Sequence, residues 1–565
     1  MKLFFKKLSV KVVPLSSYFF IVLAVVLPWF IKSGYLFFVD QSWGPIVEIN
    51  WQYSSFLLSL ITKTFSFFGS VAFFEKIYIT LVLGLILFFG KSLIEKIAKL
   101  FFRDGLAVNK KLIFVLSLFS LSNPFVYDRA LYGQVGVLAA YGFLLLTASL
   151  LLEAWKNLDC KKIIFSAVSI AFCLMFAMNF IFFLGVFYLI FITALYFKNE
   201  EILKSKLGLK IAGSLLFSIA IIFLININWL LPIFLGSSST VGFVKDGIST
   251  QDLMAFQTSG KTAVETIKNV IFMSGFWGKD QFRYVDLTKV AGWGRSFFFL
   301  LPIIFYGIWL SFYKRSRNEK IFSGSLIFVY VLSILLAVGI KAPVAREISM
   351  FFYNHLPFYM GLREPQKWVA VIIPIYLFYL TFGVVQISKF KIIEKNKFLS
   401  GIILAGIIIM QAPGLLWGFG GQVKPTNYPP DWTEINNIIL QETINKKDCQ
   451  DKIIFLPWHM YMSFQWIGKV VANPAPHFFS CPVISGTNME WGGIYDNSQN
   501  LDGNKVGEWL KNEGETPIPQ VSNDLPKYII LAKEVDWQKY GWLNNLQNLE
   551  KIKETKTLIL YEFIY

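Results

Sequence analysis

About eleven apolar runs, most of them as long as a lipid bilayer is thick, leave this chain one class of fold. They fall at roughly Pro14 to Ile31, Val71 to Gly90, Leu112 to Leu121, Val135 to Leu152, Ile163 to Met178, Phe180 to Phe197, Leu209 to Leu231, Ser296 to Phe312, Ile321 to Ile340, Trp368 to Ile387 and Ser400 to Trp417. One soluble core cannot bury so many such runs. With 55% of residues hydrophobic and 16% charged, lipid must cover much of the surface. The chain therefore reads as a polytopic α-helical membrane protein with about 11 transmembrane helices. The unbroken stretch from Ile163 to Phe197 is about twice the length of one crossing and turns back at Met178-Asn179 as a hairpin. The short run closed by Asn123-Pro124 reads as a span broken near the outer surface.

Charge then orients the spans. A formal net charge of +17 raises the question of nucleic acid, but a polynucleotide footprint would be one clustered patch. Here the cations punctuate alternate connections: Lys2, Lys6, Lys7 and Lys11, then Lys91, Lys96, Lys99, Arg103, Lys110 and Lys111, then Lys156, Lys161 and Lys162. The same side continues with Lys198, Lys204, Lys206 and Lys210, with Lys314, Arg315, Arg317 and Lys320, and with Lys389, Lys391, Lys395 and Lys397. The positive-inside rule makes the N-terminus cytoplasmic, and an odd number of crossings puts the C-terminus outside. The location expected is the cytoplasmic (plasma) membrane, with no nucleic-acid partner. No small-residue cleavage site follows the first run, which reads as a retained span.

The expected organisation is a membrane domain over residues 1–417 with large outer loops at 32–70, 232–295 and 341–367, a Gly- and Pro-rich linker at 418–430, and an extracytoplasmic α/β domain at 431–565. In the first loop, Ile46 to Phe68 suits a helix lying in the interface and carrying Glu48. In the second, Ser249-Thr250-Gln251-Asp252 reads as a helix start and Thr262 to Met273 as a further helix. The last domain reads as helices at Asp431 to Thr443 and Gln538 to Leu549, with strands at Lys452 to Leu456, Lys527 to Leu531 and Thr557 to Phe563. Its Trp458, Trp466, Trp491 and Trp509 either form a carbohydrate-stacking face or fill a core. Cys449 and Cys481 share the outer compartment and are either bridged or two free thiols, while Cys160 and Cys173 lie elsewhere.

Ionisable groups at the outer ends of the spans carry what chemistry the sequence offers. Asp40 follows the first run directly, where a carboxylate must face water, a pocket or a cation; it acts there chemically or merely caps a helix. With it go Glu48, then Asp128, Arg129 and Gln134, then Arg346, His355, Arg363, Glu364 and Lys367. Acids at that level could serve as a general base or bind a divalent cation, and the bases could hold a phosphate leaving group. Asp128-Arg129 could equally be a local ion pair, and Arg363 and Lys367 could snorkel at a span mouth. The three histidines lack metal-ligand spacing, and no Walker loop, GxSxG elbow or GxGxxG fingerprint occurs.

A first outer loop with Val39-Asp40-Gln41 at the end of span one, and a C-terminal outer domain, resemble the GT-C superfamily of integral membrane glycosyltransferases. Within it, Asn123-Pro124-Phe125-Val126-Tyr127-Asp128-Arg129-Ala130-Leu131-Tyr132-Gly133-Gln134 and Arg363-Glu364-Pro365-Gln366-Lys367 are similar to arabinofuranosyltransferase-like and YfhO-like membrane proteins. The resemblance implies a polyprenyl-phosphate sugar donor, a glycan, lipid or protein acceptor, a fold shared over the first seven spans, and the first-loop acid, Asp40, as catalytic residue. Arg129, Arg363, Lys367 and His355 are then expected at the donor phosphate, with Glu48, Asp128, Gln134 and Glu364 in support. The Asp-x-Asp pair of several members is absent, so a divalent cation, Mg or Mn, stays an open expectation. From other classes, a transporter or flippase of lipid-linked sugars and a non-catalytic sugar-binding scaffold remain; internal repeats and mid-span charges, which transporters commonly show, are not visible.

Overall fold

A computed structural model describes residues 15–102, 110–198, 205–236, 250–442, 449–487, 490–491, 494–495, 501–521 and 524–565. Lys2, Lys6, Lys7, Lys11, Arg103, Lys204 and Ser249 lie outside the described residues, as does the side chain of Trp491.

Among the described residues the apolar runs are largely helical, but the helices are unequal. Among the described residues, seven are long and apolar enough to cross a membrane: Val71–Phe101, Val135–Asn157, Met178–Phe197, Lys206–Ile225, Trp293–Phe312, Arg317–Lys341 and Pro365–Ile387. An eighth is formed if Lys397–Ile409 and Pro413–Gly420, bent by 77° to each other, make one span. Leu15–Ile31, Lys110–Leu121 and Cys160–Phe176 are shorter, at 17, 12 and 17 residues. The protein is thus a polytopic helical protein with a small sheet region near its C-terminus. The long apolar stretch breaks at Ala177, whose backbone is extended, where the hairpin was expected.

At the centre lies the helix Val369–Ile387, buried from Val369 to Val385. It crosses Trp293–Phe312 at a contact that admits no side chain: a Cβ on Gly307 would lie 1.9 Å from the Tyr379 carbonyl oxygen, and one on Gly383 would lie 2.3 Å from that of Ile303. Small residues let backbones meet where apolar burial alone gives helices in lipid little reason to associate. Several basic connections gather at one end of the bundle, through Lys96 and Lys162 on Glu153, Lys156 on Glu319 and Arg315 on the Phe101 carbonyl.

In the C-terminal domain, a five-stranded sheet runs in the order Leu549–Glu554, Leu558–Phe563, Pro526–Ala532, Lys452–Leu456 and Val483–Ile484. The first three strands are antiparallel; Lys452–Leu456 is parallel to both its neighbours. Cys449 and Cys481 are bridged, with Cα atoms 4.9 Å apart. The expected helix from Gln538 to Leu549 is instead a 3-10 stretch, Trp537–Asn545, followed by an edge strand. Gly541 and the Asn544-Asn545 pair disfavour a helix, and Leu549 pairs with Phe563. Trp458 and Trp509 are core, packed with Val506, Leu543 and Phe563, and partly buried Trp466 packs against a second core with its ring 5.1 Å from that of Phe37. Among the described residues, Trp458, Trp466 and Trp509 therefore serve packing and share no one exposed face.

The first outer loop is also less helical than expected. Only Phe56–Phe68 forms a helix, because Asn50 turns the chain by accepting the Gln52 N–H. Residues 418–430 run back along this loop. Pro425–Thr426 pairs antiparallel with Tyr35–Leu36, the Trp29 indole donates to the Val423 carbonyl at 3.1 Å, and the Tyr428 hydroxyl donates to that of Trp43 at 2.8 Å.

Candidate active site

The broken span at Asn123-Pro124 makes the floor of the site. Asn123 closes the helix Lys110–Leu121 by donating to the carbonyls of Phe119 and Ser120, and opens the next by accepting the Val126 N–H at 3.1 Å. Proline fits the first turn, where its missing N–H costs nothing. The resulting helix, Pro124–Tyr132, is buried along its whole length and ends at Gly133 with φ 92°. A Cβ there would lie 2.5 Å from that of Phe38, so glycine alone lets the first outer loop lie against this helix end.

That loop is fastened on three sides. Its Leu36 N–H donates to the buried Glu75 carboxylate at 2.9 Å, the Asp40 N–H to the Tyr132 carbonyl at 2.7 Å, and the Ala472 N–H of the C-terminal domain to the Val39 carbonyl at 2.8 Å. The Asp40 carboxylate then points into a cluster. Its Oδ2 accepts from Gln134 Nε2 at 2.9 Å and its Oδ1 from the Tyr461 hydroxyl at 2.8 Å. It caps no helix.

Behind Asp40 runs a chain of charge-assisted bonds. Gln134 accepts from Arg129, whose guanidinium also donates to Glu364 and, at 2.6 Å, to Gln366 Oε1. Glu364 holds Lys367 at 2.9 Å and accepts the Trp277 indole N–H at 3.1 Å. Arg129 is fully buried and lies 4.4 Å over the Phe276 ring. Asp40, Gln134, Gln281, Arg283 and Tyr461 keep part of their surface open, while Arg129, Glu364 and Gln366 behind them are closed. The site thus has a mouth and a sealed back wall.

Burial raises the Asp40 carboxyl to about 6, against the bonds from Gln134 and Tyr461 that favour its charged form. Asp128 rises to about 7, again through burial, opposed by Lys279. Glu364 goes the other way: burial alone would raise it, but Lys367 and Arg129 hold it well below the usual carboxylate range.

Five of the expected residues, Asp40, Arg129, Gln134, Glu364 and Lys367, therefore meet in one network. Arg363 stands beside it, paired with Asp252 at 3.3 Å and stacked over Phe256. Asp128 turns toward Tyr284 and Lys279. Two expectations fail. Glu48 lies exposed on irregular backbone, because the helix that was to carry it starts only at Phe56, and among the described residues it has no ion-pair or hydrogen-bond partner. His355 is exposed at the end of the helix Pro343–His355, its ring stacked on Phe351 and its Nδ1 2.9 Å from that residue's carbonyl oxygen, outside the network.

The donor set does not suit a divalent cation: both Asp40 oxygens are engaged by neutral donors, Glu364 is bound to two cations, and among the described residues no three acids, histidines or cysteines gather as metal ligands. Tyr461, Trp277 and Arg283 were not singled out from the sequence. The signal for the last two was the dense polar and aromatic segment Phe276-Trp277-Gly278-Lys279-Asp280-Gln281-Phe282-Arg283 in the second outer loop. No family model matches the chain, and no curated protein matches it.

Proposed function

We propose that the protein is a membrane glycosyltransferase of the GT-C type that moves a sugar from a polyprenyl-phosphate donor to an extracytoplasmic acceptor. The observation that carries this reading is Asp40 itself: a carboxylate on a partly exposed residue, held by Gln134 and by Tyr461 of the C-terminal domain, in front of buried Arg129 and Lys367. Asp40 takes the proton of an acceptor hydroxyl as that oxygen bonds to the anomeric carbon. The bond from that carbon to the donor phosphate breaks, and its electron pair leaves with the phosphate. The configuration inverts.

A base with a pKa of about 6 is ionised and still basic near neutrality. Below about 6 Asp40 carries its proton and cannot accept another. The prediction is that kcat/KM, followed as release of polyprenyl phosphate from a polyprenyl-phosphate sugar, rises with pH through about 6 and then levels. Asp40→Asn should remove this limb. A flat profile between pH 5 and 8, or movement of the donor across vesicles without release of the phosphate, would decide against transfer.

The topology belonging to this reading has eleven crossings, an N-terminus in the cytoplasm and the C-terminal domain outside. The gathering of Lys96, Lys156, Lys162 and Arg315 at one end of the bundle supports it. With Cys160 replaced by serine, a cysteine at Lys161 should be shielded from an impermeant thiol reagent in intact cells and one at Thr426 should react. Equal labelling of both would refute the arrangement.

A further inference from the structure

The cations first expected to hold an anionic leaving group are already engaged: Arg129 and Lys367 share Glu364, and Arg363 lies on Asp252. Arg283 differs from all three. Among the described residues its guanidinium has no carboxylate within ion-pair reach and no hydrogen-bond acceptor, and its Nη1 is sealed from solvent without a partner. The group lies 5.1 Å from the centre of the Tyr461 ring, and the hydroxyl of that ring donates to Asp40. Its positive charge is felt at the hydroxyls of Tyr132 and Tyr461. An unsatisfied buried donor is costly, more so when charged, and native structures hold few of them. Arg283 also sits with Asp40, Gln134, Gln281 and Tyr461 among the partly open residues of the mouth, where an incoming group would complete it.

We infer that Arg283 is the anion-binding residue of this site and takes the phosphate of the substrate in its guanidinium fork, across Tyr461 from the base Asp40. The assignment rests on the transfer reading above and moves the leaving group from the closed wall to the mouth. Arginine suits the task because its planar fork meets two phosphate oxygens at once and its ring-stacked face needs no water. The phosphate could belong to a membrane lipid carrier or arrive from water.

Both sources are tested with the full-length protein in phosphatidylcholine nanodiscs, using undecaprenyl monophosphate in the bilayer and inorganic pyrophosphate in solution as probes. Arg283→Gln should weaken binding of the polyprenyl phosphate about tenfold or more, as loss of a charged hydrogen bond does, and Arg283→Lys should weaken it less. Because no carboxylate or hydrogen-bond acceptor among the described residues pairs with Arg283, the unliganded Arg283→Gln protein should lose no more stability than its contact with the Tyr461 ring supplies, a shift of about 2 °C or less; an arginine that held the fold through bonds of its own would lower the unfolding temperature by more. Wild-type affinity for both probes in Arg283→Gln overturns the assignment and leaves the transfer reading standing. A wild-type protein that binds neither probe overturns both. Binding of pyrophosphate alone, lost in Arg283→Gln, upholds the anion site and removes the lipid as its source.

Discussion

Asp40→Asn should give a folded, inserted protein whose turnover is lower by roughly 10²- to 10⁴-fold, the usual worth of a positioned general base. Asparagine keeps the size of the side chain and removes its charge and basicity. The bonding in the site adds a second effect. Gln134 and Tyr461 both donate to Asp40, and Gln134 is fixed in that sense because its own oxygen is held by Arg129. An amide can still accept from Gln134 through its oxygen, and its NH2 then donates to Tyr461, whose hydroxyl must turn from donor to acceptor, so the cost in stability should stay below about 1 kcal/mol. Initial rates of polyprenyl phosphate release, with thermal unfolding in parallel, separate the two effects. Full activity in the variant would remove Asp40 from the chemistry.

The largest effect on stability is expected at Glu364→Gln, a loss of about 3–5 kcal/mol, typical of breaking a buried ion pair from one side. Among the described residues, Glu364 is the one carboxylate bonded to both Arg129 and Lys367, and Arg129 is completely enclosed. Without it two buried cations face each other with only amide oxygens for company. Glu364→Gln combined with Lys367→Met should recover part of the loss, because one of the stranded charges goes with it. Unfolding by heat or denaturant in detergent measures both variants. A change below about 1 kcal/mol in the single variant would mean that the network is solvated as surface pairs are.

The apolar runs were legible because crossing a bilayer demands length and composition together, and a helix meets that demand locally. Asp40, Arg129, Gln134, Glu364 and Lys367 were legible for a related reason: ionisable groups at the ends of spans must be satisfied, and each other is the nearest resource. Glu48 and His355 met the same criterion yet stayed apart, since a charge at an interface is as well served by water. Tyr461 could not be found this way. It is a neutral aromatic residue on a hairpin of another domain, chosen by a contact spanning 421 residues, and no local period records such a choice. The short helix Pro124–Tyr132 was not legible, because its polar residues mask a segment that the fold buries completely.

The hydroxyl that completes the Asp40 site is made long after the carboxylate it holds. At about 5–20 residues per second, the 421 residues between them take roughly 20 to 80 s to synthesise, during which the first spans can already reside in lipid. Through that interval the loop that bears Asp40 lacks the Tyr461 bond, the Ala472 clamp on Val39 and the strand Pro425–Thr426 beside Tyr35–Leu36. A chain halted after its last span would occupy the membrane with an unfinished site. If the site acts as proposed, a newly made copy should become competent only once the final domain has closed on Asp40.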